Sequence, residues 1–172
     1  MSEQPLAIMV GMIAHRTIEA GTVSSLWALA RAYPRIGLDL LVGDALITRA
    51  RSKCATRFLD KPGADVLLTV DSDITFDPRA AVQVCQQAQE LEGIVVGAYP
   101  TRAWQEGQLA SLLKTEEIKF DVDPTPVEIV WGASGFMAIP RSVLERMRAE
   151  LPLPLLHASP PELAYYPFYE SP

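Results

Sequence analysis

The sequence predicts an α/β domain with a mostly parallel central sheet and helices on both faces. Two observations carry that reading. Short, mainly apolar runs alternate with amphipathic segments of helical period through the first hundred residues, the order that builds right-handed βαβ crossovers. A chain of 172 residues also suffices for one domain around one core, and not for two.

Residues 6–13 (LAIMVGMI) form a short apolar run, as a buried parallel strand requires. After a polar loop over 15–21, a helix is expected over 22–33. Val23, Leu26, Ala30 and Tyr33 mark its inner face, Thr22 or Ser24 is a possible cap, and Pro34 ends it. Residues 36–42 read as a second strand. A strongly amphipathic helix follows over 45–60, with Ile47, Ala50, Cys54, Phe58 and Leu59 on its apolar side. Arg49, Lys53 and Arg57 recur every fourth residue along it as a basic stripe. Pro62-Gly63 breaks the chain before a third strand, 65–70, which is apolar on both faces and therefore central. Asp77 caps the next helix and Pro78 opens it; Ala81, Val84, Cys85 and Ala88 face inward. A fourth strand is expected over 93–98. The pattern fades over 99–126, with a hairpin expected near 118–122. Two more strands, 127–131 and 136–139, flank Gly132-Ala133-Ser134-Gly135, and a last helix runs from Pro140 to about Glu150. The tail, 151–172, is rich in proline and aromatics and too apolar to stay in solvent.

A net charge of −6 argues against general affinity for a nucleic-acid backbone. It leaves room for a phosphate-bearing small ligand that brings its own cation. No stretch approaches the roughly 20 apolar residues of a membrane helix, and the polar, acidic start does not read as a signal peptide. Cys54 and Cys85 fall on apolar helix faces as core thiols, and two cysteines with two distant histidines give no zinc spacing. The cytoplasm is the default compartment.

Asp71, Ser72 and Asp73 follow the third strand directly. Ligands of open α/β sheets bind outside the carboxyl ends of the strands. Two carboxylates two residues apart, the second in a turn, can share one hard cation. Magnesium or manganese suits such oxygens and completes its shell with water and a diphosphate. Solvated or helix-capping acids are the bland alternative.

ADVLLTVDSDITFDP (64–78) resembles the DxD region of GT-A glycosyltransferases, near the family-two group and its bacterial and phage relatives. LITRARSKCATRFLD (46–60) resembles the helix before that strand, GIVVGAYPTR (93–102) the next strand and loop, and WGASGFMAIPRSVLERM (131–147) the glycine-containing segment beside the donor sugar. These segments cover more than half the chain, in the family's order. The resemblance implies a Rossmann-like GT-A fold: a nucleotide-binding half over 1–100, a donor and acceptor half over 101–150, and the tail. It implies a UDP- or GDP-sugar donor, a hydroxyl acceptor and Mn2+ or Mg2+. Asp73 would be the direct metal ligand, and Asp71 would contact the ribose or reach the metal through water. Ala14 and His15 would lie where the base is held. Arg51, where relatives often have Arg-Asn and this chain has Arg51-Ser52, either faces the ligand or stands as an exposed helix arginine. Gly132, Ser134 and Gly135 either approach the ligand or make a tight connection. Trp104 and Trp131 stack on sugar or acceptor, or pack. His157 completes the metal shell, as a late histidine does in some GT-A enzymes.

The late acidic pair of inverting relatives, which supplies the general base, is not evident; Glu162 and Glu170 are the only acids left in the tail. Either could be the base. Otherwise the chain is truncated, the enzyme is retaining, or the domain is a non-catalytic GT-A-like nucleotide binder. A nucleotidyltransferase is disfavoured because VGMIAHR holds one glycine and no basic phosphate loop. The aromatic stretch 164–169 is either a homo-oligomer contact or an acceptor lid.

Overall fold

A computed structural model describes residues 5–99, 111–113, 125–157 and 164–169. The hairpin expected near 118–122, Trp104, Glu162 and Glu170 lie outside the described residues. The elements run β1 (Ile8–Ala14), α1 (Ala20–Ala32), β2 (Ile36–Val42), α2 (Ile47–Asp60), β3 (Val66–Asp71), α3 (Pro78–Leu91), β4 (Val95–Val96), β5 (Leu112–Leu113), β6 (Ile129–Trp131), β7 (Phe136–Pro140) and α4 (Arg141–Glu150).

Five strands form one sheet in the order β2-β1-β3-β7-β4. β1 is parallel to β2 and β3, while β3 and β4 are both antiparallel to β7. Four strands therefore run one way and β7 the other, so this is a mixed α/β architecture with a mostly parallel sheet. The fourth strand of the sequence reading shrinks to Val95–Val96, and β7 lies between it and β3. β7 is buried along its whole length, and β4 is only half-buried. The longer apolar segment thus takes the inner place. β6 does not pair with β7 but forms a separate two-stranded ribbon with β5.

Side-chain alternation sorts the core into two layers. Ile8, Val10 and Met12 of β1, Val66, Leu68 and Val70 of β3, and Phe136 and Ala138 of β7 pack under α1 and α3. Met9, Leu67, Met137 and Ile139 point the other way, against Cys54, Ala55 and Phe58 of α2 and Val143 and Leu144 of α4. Gly11 is where α2 comes closest: a Cβ there would overlap Cys54 Sγ. Cys54 and Cys85 are fully buried and free, and desolvation pushes both thiols up to about 12.

Several element details differ from the sequence reading. α1 begins at Ala20, with Glu19 rather than Thr22 or Ser24 at the cap position. It buries Thr22, Ser25 and Leu29, whereas Val23 and Ala30 are exposed. The Ser25 hydroxyl, which accepts the Phe76 N–H at 3.0 Å, turns that polar face inward. α2 begins two residues late and Ile47 is exposed. Its basic stripe meets acids from β2 and the loop after it: Arg49 and Lys53 pair with Asp44 at 2.6 and 2.9 Å, and Arg57 approaches Asp39 at 3.7 Å. Asp77 caps α3 by accepting the Arg79 N–H at 2.7 Å, with Pro78 opening the helix as expected. No helix among the described residues is long and apolar enough to cross a membrane.

Candidate functional site

Asp71 is the last residue of β3, and Ser72 and Asp73 form the turn after it. This is the carboxyl edge of the parallel strands, where an open sheet offers its crevice. Two neighbours enclose the turn. From β1, the chain passes Ala14, buried at the strand's end, and His15, exposed in the loop; this loop is tied down where the Glu19 N–H donates to the Ser72 carbonyl at 2.8 Å. From β7, Gly135 lies opposite Asp71 and accepts its N–H at 2.8 Å.

Arg51 comes from the first turns of α2 and is only 7% exposed. Its Nη2 donates to Asp71 Oδ1 at 2.6 Å, and its buried Nε has no hydrogen-bond partner. Arg51 is therefore a buried arginine aimed at the acidic pair, not a solvent-facing one. Asp71 keeps a side-chain exposure of 32%. Its Oδ2 accepts no hydrogen bond from the described residues. The arginine fixes one carboxylate oxygen and leaves the other for a ligand. Asp71 and, two residues on, the half-buried Asp73 bring carboxylate oxygens, the donor type a hard cation takes, to this strand end.

Gly135 is needed for space: a Cβ there would overlap the Tyr99 hydroxyl and stand 2.7 Å from Asp71 Oδ2. The Gly135 N–H donates to the Tyr99 hydroxyl at 3.0 Å, and burial pushes that phenol's pKa up. The Ser134 carbonyl accepts from the Thr69 hydroxyl at 3.0 Å. Gly132 packs against Val96 and Ile129. The glycine segment is thus held to β3 by the chain's own groups. Trp131 is 60% exposed.

The tail closes the far side of Arg51. Along residues 164–169, the Tyr166 N–H donates to Thr56 Oγ1 at 3.0 Å and the Tyr169 N–H to Ser52 Oγ at 3.1 Å. The Tyr169 phenol, pushed well above its usual range by burial, lies within the field of Arg51 and close to Met137 Sδ at 3.9 Å. Tyr165 is buried beneath Lys53. These aromatics are committed to α2 of the same chain. His157 is exposed and does not form a three-ligand group with Asp71 and Asp73; among the described residues there is no such group of three.

Thus the structure brings together Asp71, Asp73, Arg51, Ser134 and Gly135, with the His15 loop alongside. Thr69, Tyr99 and Tyr169 also belong to this neighbourhood. Thr69 and Tyr99 fall within the segments 64–78 and 93–102 without being singled out there by residue type, and the apolar tail signals only that something near Tyr169 is covered. A concavity of about 390 Å³ lies at the opposite strand ends, beside Ala7, Asp39 and Lys61.

No family model matches this sequence, and no curated protein matches it. Among solved structures, the chain is similar to A197 from STIV, at 18% identity and a TM-score of 0.62, over 91% of this chain and 74% of that one. At that identity the likeness is one of fold, and it agrees with the mixed α/β architecture described above.

Proposed function

We propose that this protein is a metal-dependent glycosyltransferase of the GT-A type, taking a UDP- or GDP-sugar as donor and a hydroxyl compound as acceptor. The observation that carries the reading is a pair of carboxylates, Asp71 and Asp73, at the carboxyl end of a central parallel strand, with the buried Arg51 holding one oxygen of Asp71. Asp73 would hold Mn2+ or Mg2+, and Asp71, whose Oδ1 is taken by Arg51, would turn its Oδ2 to the ribose or towards the cation. The bound cation supplies charge neutralisation for the diphosphate leaving group. Arg51 holds the Asp71 carboxylate in one orientation through its Nη2 contact, so the site is organised before the ligand arrives. The loop at Ala14 and His15 borders the base, and Ser134 and Gly135 form the floor beside the sugar.

Calorimetric titration of UDP, GDP and their sugars, with and without Mn2+, tests this directly when followed by an assay of donor hydrolysis. Metal-dependent binding with turnover is the expected result. Absence of metal-dependent nucleotide binding would falsify the proposal. Binding with no turnover would leave a nucleotide-binding domain in place of an enzyme.

A further inference from the structure

We propose that β2 is the contact edge of a symmetric dimer, in which two copies of this chain join their sheets antiparallel through residues 38–42. β2 ends the sheet, and its only strand partner among the described residues is β1. The Ile8 N–H donates to Arg35 O, and the Gly43 N–H donates to Ala14 O. The odd residues of this segment therefore direct their backbone groups to β1. By strand alternation, the N–H and C=O groups of Leu38, Leu40 and Val42 point off the edge. Such an edge is a template for another strand unless it is guarded.

Among the described residues the strand carries no lysine, proline or bulge, and its one guard is an inward charge. Leu38, Leu40 and Val42 are 56%, 42% and 58% exposed on one face. The one charge in the strand, Asp39, is turned to the other face, beside Arg57 and Lys61. α1 does not cover the apolar row. Its Ser25 side bonds Phe76 and its Gly21 abuts Thr75, both before α3, so the flank with Val23 and Trp27 is turned towards β2. Val23 is 50% exposed and Trp27 68%. Together the five side chains leave on the order of 500 Å² of apolar surface in water, a large share of the roughly 800 Å² per partner that a standard interface buries.

A second copy fits this surface, because an antiparallel strand pair about a two-fold axis is self-complementary. With Leu40 on the axis, Leu38 of each copy meets Val42 of the other. All three then pair through their free backbone groups, and the apolar rows stay on one face. This register also keeps Asp39 from facing its own copy, which like charges disfavour.

Sedimentation of the full chain from about 1 to about 100 µM tests the proposal. The native protein is expected at twice its 18.9 kDa mass. Leu40→Lys, which sets two ammonium groups face to face, is expected to weaken the dimer on the order of 100-fold with an unchanged circular-dichroism spectrum. Trp27→Glu, on the helix flank, gives a second reading should Leu40→Lys fail to fold. Leu91→Lys, at an exposed apolar site on α3, is expected to leave the dimer intact. A native protein that stays monomeric throughout overturns the proposal. So does a dimer that folded Leu40→Lys and Trp27→Glu both leave intact, or one that Leu91→Lys dissociates as readily.

Discussion

The Arg51–Asp71 pair shows how unequal burial makes two ends of one interaction unequal in consequence. The Arg51 side chain is 9% exposed and that of Asp71 is 32% exposed. Removing the carboxylate strands a guanidinium where water cannot solvate it. Removing the guanidinium leaves an acid that water still reaches, and also removes a buried Nε that has no partner. Asp71→Ala is therefore expected to cost about 2–3 kcal/mol and Arg51→Met about 1 kcal/mol, read from urea midpoints at constant slope. Equal losses, or a larger loss for Arg51→Met, would show that burial does not govern the pair. The residue types of this site were legible in the sequence: two acids after an apolar strand, and an arginine on the preceding helix. What was not legible was that Arg51 turns inward to Asp71, since helical spacing places it on a face without saying what lies opposite. Gly135 is similar: the letter permits close approach, and the fold names Tyr99 and Asp71 as what approaches.

At the scale of elements, α2 is held at both ends by charge. Asp44, just before its first turn, accepts from Arg49, Lys53 and the Leu46 N–H. These partners, Arg49 first, hold its carboxyl well below the usual carboxylate range. A depressed folded-state pKa contributes stability above the unfolded value, near 3.9 for Asp, and loses it as pH falls towards the folded value. Unfolding midpoints measured from pH 5 down to pH 2.5 should fall with acid, and Asp44→Asn should flatten that slope while lowering stability at neutral pH. An unchanged slope in the variant would remove Asp44 from the account. At the other end, Arg141 donates to the carbonyls of Phe58, Leu59, Lys61 and Ala64 and lies over the Phe58 ring at 4.3 Å. It satisfies carbonyls that the helix terminus cannot. Arg141→Met should cost about 2–3 kcal/mol, and Arg141→Lys should recover only part, because an ammonium cannot span four carbonyls as a planar fork does. Full recovery in a thermal melt of the lysine variant would contradict this. The amphipathic pattern of α2 was plain in the sequence. The assignment of its basic stripe to Asp44 and Asp39 was not, because those acids sit on a neighbouring segment whose distance is set by packing.

For the whole molecule, the proposed ligand should act as a stabiliser by mass action. A nucleotide bound with Mn2+ at a hundred times its dissociation constant adds about 2.7 kcal/mol, or about 5–10 °C in melting temperature for a chain of this size. EDTA should abolish the shift, and Asp73→Ala should show none while melting near the native temperature without ligand. A shift that survives Asp73→Ala would place the metal elsewhere.

By itself the sequence determined the alternation of strands and helices, the central place of β3, the cap at Asp77 and Pro78, and the two buried thiols. Each of these is written in local periodicity or in a residue's own backbone chemistry, which act over a few positions along the chain. Only the tertiary structure decided that β7 enters the sheet antiparallel between β3 and β4, that α1 buries Thr22, Ser25 and Leu29 instead of Val23 and Ala30, that residues 164–169 lie along α2, and that Arg51 reaches Asp71. These depend on which buried surfaces compete for the same neighbour. That competition is settled by the total apolar area and the hydrogen bonds satisfied across the whole fold, and no single segment carries the outcome.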